Sequence, residues 1–230
     1  MSTPEVLIHH DAMLLARAAA ARLVTCLVDR QAAAGSASLV LTGGGIGTAV
    51  LAELAAAPAR DAVDWRLLDI WWGDERFLPA GHPERNETGA RKALLRHLDA
   101  DPARVRPMPA AGGPDGDDPE AAAGIGPDGH VASLFPGLPA LYDERPVVAV
   151  RGAPKPPPLR LSLTLPAIRS AREVWVLATG AEKAGAVRLA LSDVGPVQVP
   201  AAGARGRQRT LFLLDRAAAS RIPPQLSRTS

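Results

Sequence analysis

Four short clusters hold the residues best suited to chemistry. The turn Thr42-Gly43-Gly44-Gly45-Ile46-Gly47-Thr48 leads into an alanine-rich apolar run. Unpaired backbone N–H groups and the helix dipole at such a start suit a phosphate, whereas a tight strand-to-helix turn would need glycine for packing alone. The residue types leave both open. Neither glycine spacing completes G-x-G-x-x-G, since Gly43 and Gly45 are followed by Thr48, and Gly45 and Gly47 by Val50; no P-loop lysine follows either. Dinucleotides and ATP are therefore disfavoured. Gly73-Asp74-Glu75-Arg76 and Gly180-Ala181-Glu182-Lys183 each offer one cation, an arginine fork and a lysine point charge, with Asp74 able to orient a guanidinium or an imidazole. Isolated Arg and Lys are usually solvated, and Asp74 serves equally as a strand-end cap. The fourth cluster, Gly124 to Gly137 (GIGPDGHVASLFPG), sets His130 among glycines, where backbone approaches a ligand closely. A general base and a structural histidine are both consistent with that setting. The other histidines, His9, His10, His82 and His97, sit in ordinary surface contexts. Ser133 lacks the G-x-S-x-G frame of a serine hydrolase, and no His or Cys spacing fits a metal site.

These clusters need elements to position them. Leu15, Ala19, Leu23 and Leu27 recur every four residues with Arg17, Arg22 and Arg30 off the stripe, which predicts a helix over 12–28. Short apolar runs predict strands at 38–42 (SLVLT), 65–72 (WRLLDIWW), 146–150 (PVVAV), 159–165 (LRLSLTL), 173–179 (EVWVLAT) and 209–215 (RTLFLLD). Helices are expected at 48–57, ending before Pro58, around Ala90, Leu94 and Leu98, and after each of the last two strands. Continuously apolar strands alternating with helices predict an α/β protein, a three-layer α/β/α sandwich on a mostly parallel sheet. Ligands of such sheets lie beyond the carboxyl ends of the strands, where the glycine turn and the segments after Trp72 and Thr179 all fall. Residues 110–124 and 153–158 read as loops.

The whole chain bounds the alternatives. Its 230 residues are 47% hydrophobic and 22% charged, with 26 Lys and Arg against 24 Asp and Glu. That is a globular composition without a basic field, so one domain over 1–230 is expected and nucleic acid is not an expected partner. Arg205, Arg207 and Arg209 read as a solvated face. The single Cys26 excludes an intramolecular disulfide. No apolar run reaches the ~18 residues of a membrane span, and MSTPEVLIHHD lacks a signal-peptide layout, which makes a cytoplasmic protein without membrane partners the expectation.

Taken together, LTGGG (41–45), WWGDERFLPAGHPERN (71–86), GIGPDGHVASLFPG (124–137), KPPPLRLSLTLPAI (155–168) and VLATGAEKAGAV (176–187) closely resemble 6-phosphogluconolactonases. The segments span most of the chain in family order, and GPDGH followed by ASLFPG distinguishes these lactonases from the related glucosamine-6-phosphate deaminases. The resemblance implies a modified Rossmann-like sheet, no cofactor, and hydrolysis of 6-phospho-D-glucono-1,5-lactone. It also implies a catalytic base at His130 and a supporting carboxylate at Asp74. Phosphate binding falls to Gly43, Gly44, Gly45, Arg76 and Lys183, and oxyanion contacts to backbone near Gly129. A sugar-phosphate isomerase or deaminase on the same fold is an alternative that VASLFPG argues against. A non-catalytic sugar-phosphate sensor is weaker still, for no helix-turn-helix segment precedes the domain.

One departure stands out. Relatives carry a helix and then a core strand before the GIGPDGH loop, yet Asp118-Pro119-Glu120-Ala121-Ala122-Ala123 runs directly into Gly124. A helix, loop and strand need on the order of 20 residues. Either a central strand has been lost, leaving His130 poorly supported, or residues are missing between Ala123 and Gly124. The second is the expectation, with the two Cα atoms far beyond the roughly 3.8 Å of a bonded pair.

Overall fold

A computed structural model of the chain describes residues 1–113, 131–192 and 194–223, and the backbone of Arg228 and Thr229. The Ala123–Gly124 junction, Gly129 and His130 lie outside the described residues.

Helix α1 (Ala12–Ala34) begins where the Asp11 carboxylate accepts the Leu14 N–H at 2.8 Å and ends where Gly35, at φ 73°, returns its N–H to the Gln31 carbonyl. It runs beyond the predicted Val28 because 29–34 contain nothing that breaks a helix before a left-handed glycine stops it. Two strands flank it. Strand β1 (Pro4–His9), which the sequence pattern did not reveal, pairs in parallel with β8 (Arg209–Asp215), matching Val6 with Phe212 and Ile8 with Leu214. Strand β2 (Ala37–Leu41) pairs in parallel with β3 (Leu68–Trp72), and helix α2 (Gly44–Ala56) follows β2 directly. The predicted strand at 65–72 is shorter at its start, where Asp64 caps a 3-10 turn at Trp65–Leu67.

The sheet is in three pieces among the described residues. Parallel strands run in the order β7 (Glu173–Ala178), β8, β1, β9 (Arg228–Thr229), and β2 with β3 forms a second piece. The third is antiparallel, with β6 (Arg160–Leu163) between β4 (Asp74–Arg76) and β5 (Val147–Val150). Gly73 joins the last two, donating to Leu41 and accepting from Leu163. The predicted strand at 159–165 stops at Leu163 because Thr164 caps helix α4 (Leu165–Ser170), with Pro166 in its first turn.

Layers form on both faces of the parallel strands. Leu211 and Leu213 of β8 face a core shared with Leu15, Leu27, Leu54, Leu68 and Ile70, under α1, α2 and α3 (Asn86–Ala93). Phe212 and Leu214 face the other way, onto Val187 and Ala190 of α5 (Ala184–Ala190) and Ala201 of α6 (Pro200–Gly203). Each fully buried leucine or phenylalanine contributes about 1.5–3 kcal/mol. The helix expected after β8 is replaced by turns, as the Asp215 carboxylate accepts the Ala218 N–H at 2.7 Å. Of the three C-terminal arginines, Arg209 forks onto Glu5 with two 3.0 Å bonds and Arg205 lies 5.6 Å over the Phe212 ring.

Candidate active site

The glycine turn after β2 and the acidic segment after β3 meet on Asn86. A Cβ on Gly43 would fall 1.9 Å from Asn86 Oδ1, so Gly43 is held to glycine by packing. Asn86 in turn donates from Nδ2 to the Asp74 carbonyl at 3.1 Å. Gly44 and Gly45 differ from Gly43: a Cβ on either would meet nothing within 4 Å, and Gly44 sits at φ 77°, a left-handed conformation that glycine adopts without strain. Both packing and open approach to the start of α2 are thus present within three residues. Gly43 caps α2 without any side-chain hydrogen bond, which leaves the N–H groups of the first turn without a capping side chain.

Glu75 explains how the segment after β3 holds its shape. Its carboxylate is 0% exposed and accepts the backbone N–H groups of Asn86 (2.7 Å), Glu87 (3.0 Å) and Arg76 (2.8 Å). Buried Arg85 lies 3.4 Å away and spans to the carbonyls of Leu78, Met108 and Pro109. Burial pushes the Glu75 pKa up against the opposing pull of those N–H groups and Arg85. This carboxylate fastens the start of α3 to β4 and so aims its neighbours. Asp74 is 1% exposed, and Arg76 donates to the Glu84 carbonyl while its buried Nε has no hydrogen-bond partner among the described residues.

Lys183 ends the 3-10 turn that follows β7, after Gly180 at φ 92°. The Gly180 N–H donates to both oxygens of the Asp215 carboxylate, at 3.2 and 3.1 Å, which binds the end of β7 to the end of β8. Burial lowers the Lys183 pKa; Glu182 opposes that and the positive charge of Lys155 adds to it. Arg160, 3% exposed, connects this side to the acidic segment. It donates from Nε to the Pro157 carbonyl and from Nη2 to those of Lys155 and Pro156, and it pairs in register with Arg76. Burial, with the Arg76 charge, lowers the Arg160 pKa, while Asp74 raises it. Gly43 and Asp74 are therefore brought together on Asn86, and Arg76 is held beside them by the Glu75 carboxylate that also binds the Asn86 N–H, with Arg160 as its partner across the strand pair.

Beyond His130 the chain is firmly seated. Ala132 is fully buried at φ 56°, a region a non-glycine residue rarely takes, and the Ser133 N–H donates to Ser162 Oγ at 3.0 Å. Phe135 packs 5.8 Å under the Arg160 guanidinium. Sequence reasoning missed Glu75, Arg85, Asn86, Arg160 and Asp215. For Glu75, Arg160 and Asp215 the available signal was a charge inside or beside an apolar run; Arg85 and Asn86 lie in a polar stretch that gives none. Among the described residues, no group of three or more His, Cys, Asp or Glu is arranged to hold a metal ion, and no helix is long and apolar enough to cross a membrane.

The chain is similar to known proteins. The chain is 56% identical to a 6-phosphogluconolactonase of Streptomyces coelicolor over 252 aligned positions, covering 97% of each chain. A 6-phosphogluconolactonase of Mycobacterium tuberculosis is 45% identical over 239 positions, covering 93% of this chain and 96% of that one. The solved 6-phosphogluconolactonase of Trypanosoma brucei superposes with a TM-score of 0.76 at 25% identity, covering 97% of this chain and 100% of that one. The family model described as glucosamine-6-phosphate isomerases/6-phosphogluconolactonase matches in two pieces, residues 10–124 and 120–213. With the fold, the motifs and both pieces of the match in agreement, the chain belongs to the glucosamine-6-phosphate isomerase/6-phosphogluconolactonase family.

Proposed function

We propose that this protein hydrolyses 6-phospho-D-glucono-1,5-lactone to 6-phospho-D-gluconate, as a sugar-phosphate lactonase of the pentose phosphate pathway working in the cytoplasm as one domain over 1–230. The observation that carries this reading is the 56% identity to a 6-phosphogluconolactonase across 97% of both chains, and the site chemistry agrees with it.

His130 takes a proton from water as the water oxygen attacks C1. The C1–O5 bond then breaks and the proton passes to O5, giving the open-chain acid, which ionises to the carboxylate. A strained ester of this kind needs no covalent nucleophile, and a neutral imidazole near pH 7 is a suitable base. In this reading Asp74, buried at the start of β4, is the supporting carboxylate, and backbone N–H groups near Gly129 stabilise the developing oxyanion. The phosphate rests on Gly43, Gly44 and Gly45 at the start of α2, with Arg76 and Lys183 as its cations. Binding the unreactive phosphate end positions the carbonyl carbon at the base and its water. The unpartnered Nε of Arg76 favours this assignment, since a buried guanidinium N–H calls for an acceptor.

Comparing the phosphorylated lactone with plain D-glucono-1,5-lactone tests the proposal. The expected result is a kcat/KM higher by about 10²-fold or more for the phosphorylated substrate, a preference that Arg76→Ala largely removes. Equal hydrolysis of the two lactones, or release of ammonia from glucosamine 6-phosphate in place of lactone hydrolysis, would overturn it.

A further inference from the structure

The two faces of the antiparallel piece differ in what they carry. Directly opposed residues of neighbouring strands share a face, as do residues two apart along one strand. On one face Ser162 of β6 stands opposite Asp74 of β4 and Val148 of β5, and Arg160 stands opposite Arg76 and Val150. On the other, Leu161 stands opposite Glu75 and Ala149 and packs with Phe77. The carboxylate and the arginine of the candidate site therefore share a face with two buried residues of β6, Ser162 at 0% exposure and Arg160 at 3%.

The chain that leaves His130 lands on that same face. Val131, Leu134 and Phe135 share a buried core with Val148 and Val150, and the Phe135 ring lies under the Arg160 guanidinium. Two positions along β6, the Ser162 hydroxyl accepts the Ser133 N–H at 3.0 Å while donating its own proton to the Leu163 carbonyl at 2.8 Å. The Leu134 N–H returns to the Val131 carbonyl at 3.0 Å, closing a tight turn around Ala132, which is fully buried at φ 56°. A left-handed alanine costs free energy that its surroundings must offset, and the hydrogen bond from β6 enters the turn at the next residue.

We infer that Ser162 is a positioning residue of the lactonase site: its hydroxyl docks residues 131–135 onto the face that holds Asp74 and Arg76, and so fixes where the chain that bears the base joins the rest of the site. Ser162 acts through the Ser133 backbone and does not touch the substrate. A hydroxyl suits the task because it accepts from one backbone group while donating to another. Alanine in its place would leave the Ser133 N–H buried without this acceptor. Displacing a catalytic group by about 1 Å can cost on the order of 10²-fold in rate, so the loss falls on turnover more than on binding. This role rests on the lactonase reading with His130 as its base, and adds to it a residue outside the set that meets the substrate.

The full chain carrying Ser162→Ala or Ser162→Thr is compared with the unaltered protein in lactone kinetics, and amide exchange at Ser133 is followed without substrate. For Ser162→Ala the expected results are a kcat lower by about 10- to 100-fold, a KM within about twofold, and exchange at Ser133 faster by about tenfold or more. Ser162→Thr keeps the hydroxyl and suits a strand, so kcat should recover to within about threefold. A serine that only stabilised the fold would lower the melting temperature without this split between kcat and KM. Unchanged kcat in folded Ser162→Ala, a rise in KM alone, or no recovery in Ser162→Thr would each overturn the role. An unaltered protein that hydrolyses no lactone counts against the lactonase reading; the docking is then judged by exchange alone, and exchange at Ser133 unmoved by Ser162→Ala overturns it.

Discussion

Strands β7 and β8 lie side by side, in register from Glu173 with Arg209 to Ala178 with Leu214, and both read as buried apolar runs. Yet β8 is sealed, with Leu211, Phe212, Leu213 and Leu214 all at 1% exposure or less, while no residue of β7 is fully buried. Their residues do not account for the contrast, because Val, Trp and Leu are as suited to a core strand as Leu and Phe. The neighbours do. Strand β8 has β7 on one side and β1 on the other, whereas β7 has a described partner on one side alone. Burial in a parallel sheet is thus a property of the assembled row of strands and not of one strand's own sequence.

The contrast can be broken by truncation. Leu213→Ala should cost about 2–5 kcal/mol in urea unfolding, because the site is closed on all sides and collapses poorly, while Leu177→Ala one strand away should cost about 1–2 kcal/mol. Equal losses would mean that β7 is as enclosed as β8. The site edge gives the next largest effect. Arg76→Ala should raise KM for the phosphorylated lactone by about 10- to 100-fold with a smaller change in kcat, a split that steady-state kinetics resolves. A fall in kcat alone would move Arg76 from the phosphate to the reacting end.

Lys183 sharpens the same picture through pH. Burial and the nearby Lys155 charge hold its pKa below the ordinary 10.5. In the folded protein it therefore sheds its proton at a lower pH than in the unfolded chain, so its contribution to stability becomes more favourable as pH rises through the folded pKa towards 10.5. Phosphate binding has the opposite sign, since it needs the charged form. Inhibition by inorganic phosphate should weaken as pH climbs through that lowered pKa, and Lys183→Met should flatten the dependence by several-fold. The smallest effect belongs to the exposed Val40 of β2: Val40→Thr should change stability by no more than about 0.5 kcal/mol, measured by thermal melting.

Much of this was legible in the residues, for identifiable reasons. Strand β8 was readable to its ends because a run of apolar residues between Arg209 and Asp215 has no competing pattern. The glycine turn and its helix were readable too, although α2 begins four residues before the expected Thr48, since glycines serve as its first turn. Strand β6 was harder. LRLSLTL was read as an apolar strand, yet Arg160 and Ser162 within it are buried because they bind the carbonyls of 155–157 and the Ser133 N–H, partners that local pattern does not reveal. The antiparallel pairing of β4, β5 and β6 was invisible for the same reason. Glu75 is the clearest miss: its function as an anchor exists only once Asn86 and Glu87 fold back on it. Asp74, Arg76 and Lys183 were visible as candidates because a charged residue at a strand end stands out by residue type, and the supports beneath them do not.

The most direct test of the account is hydrolysis of freshly generated 6-phosphogluconolactone against its spontaneous background, with the unaltered protein and His130→Ala side by side. The account predicts clear acceleration by the unaltered protein and a kcat lower by about 10²- to 10⁴-fold in the variant, with the fold intact by circular dichroism. Turnover by His130→Ala near that of the unaltered protein, or no acceleration by either, would contradict it.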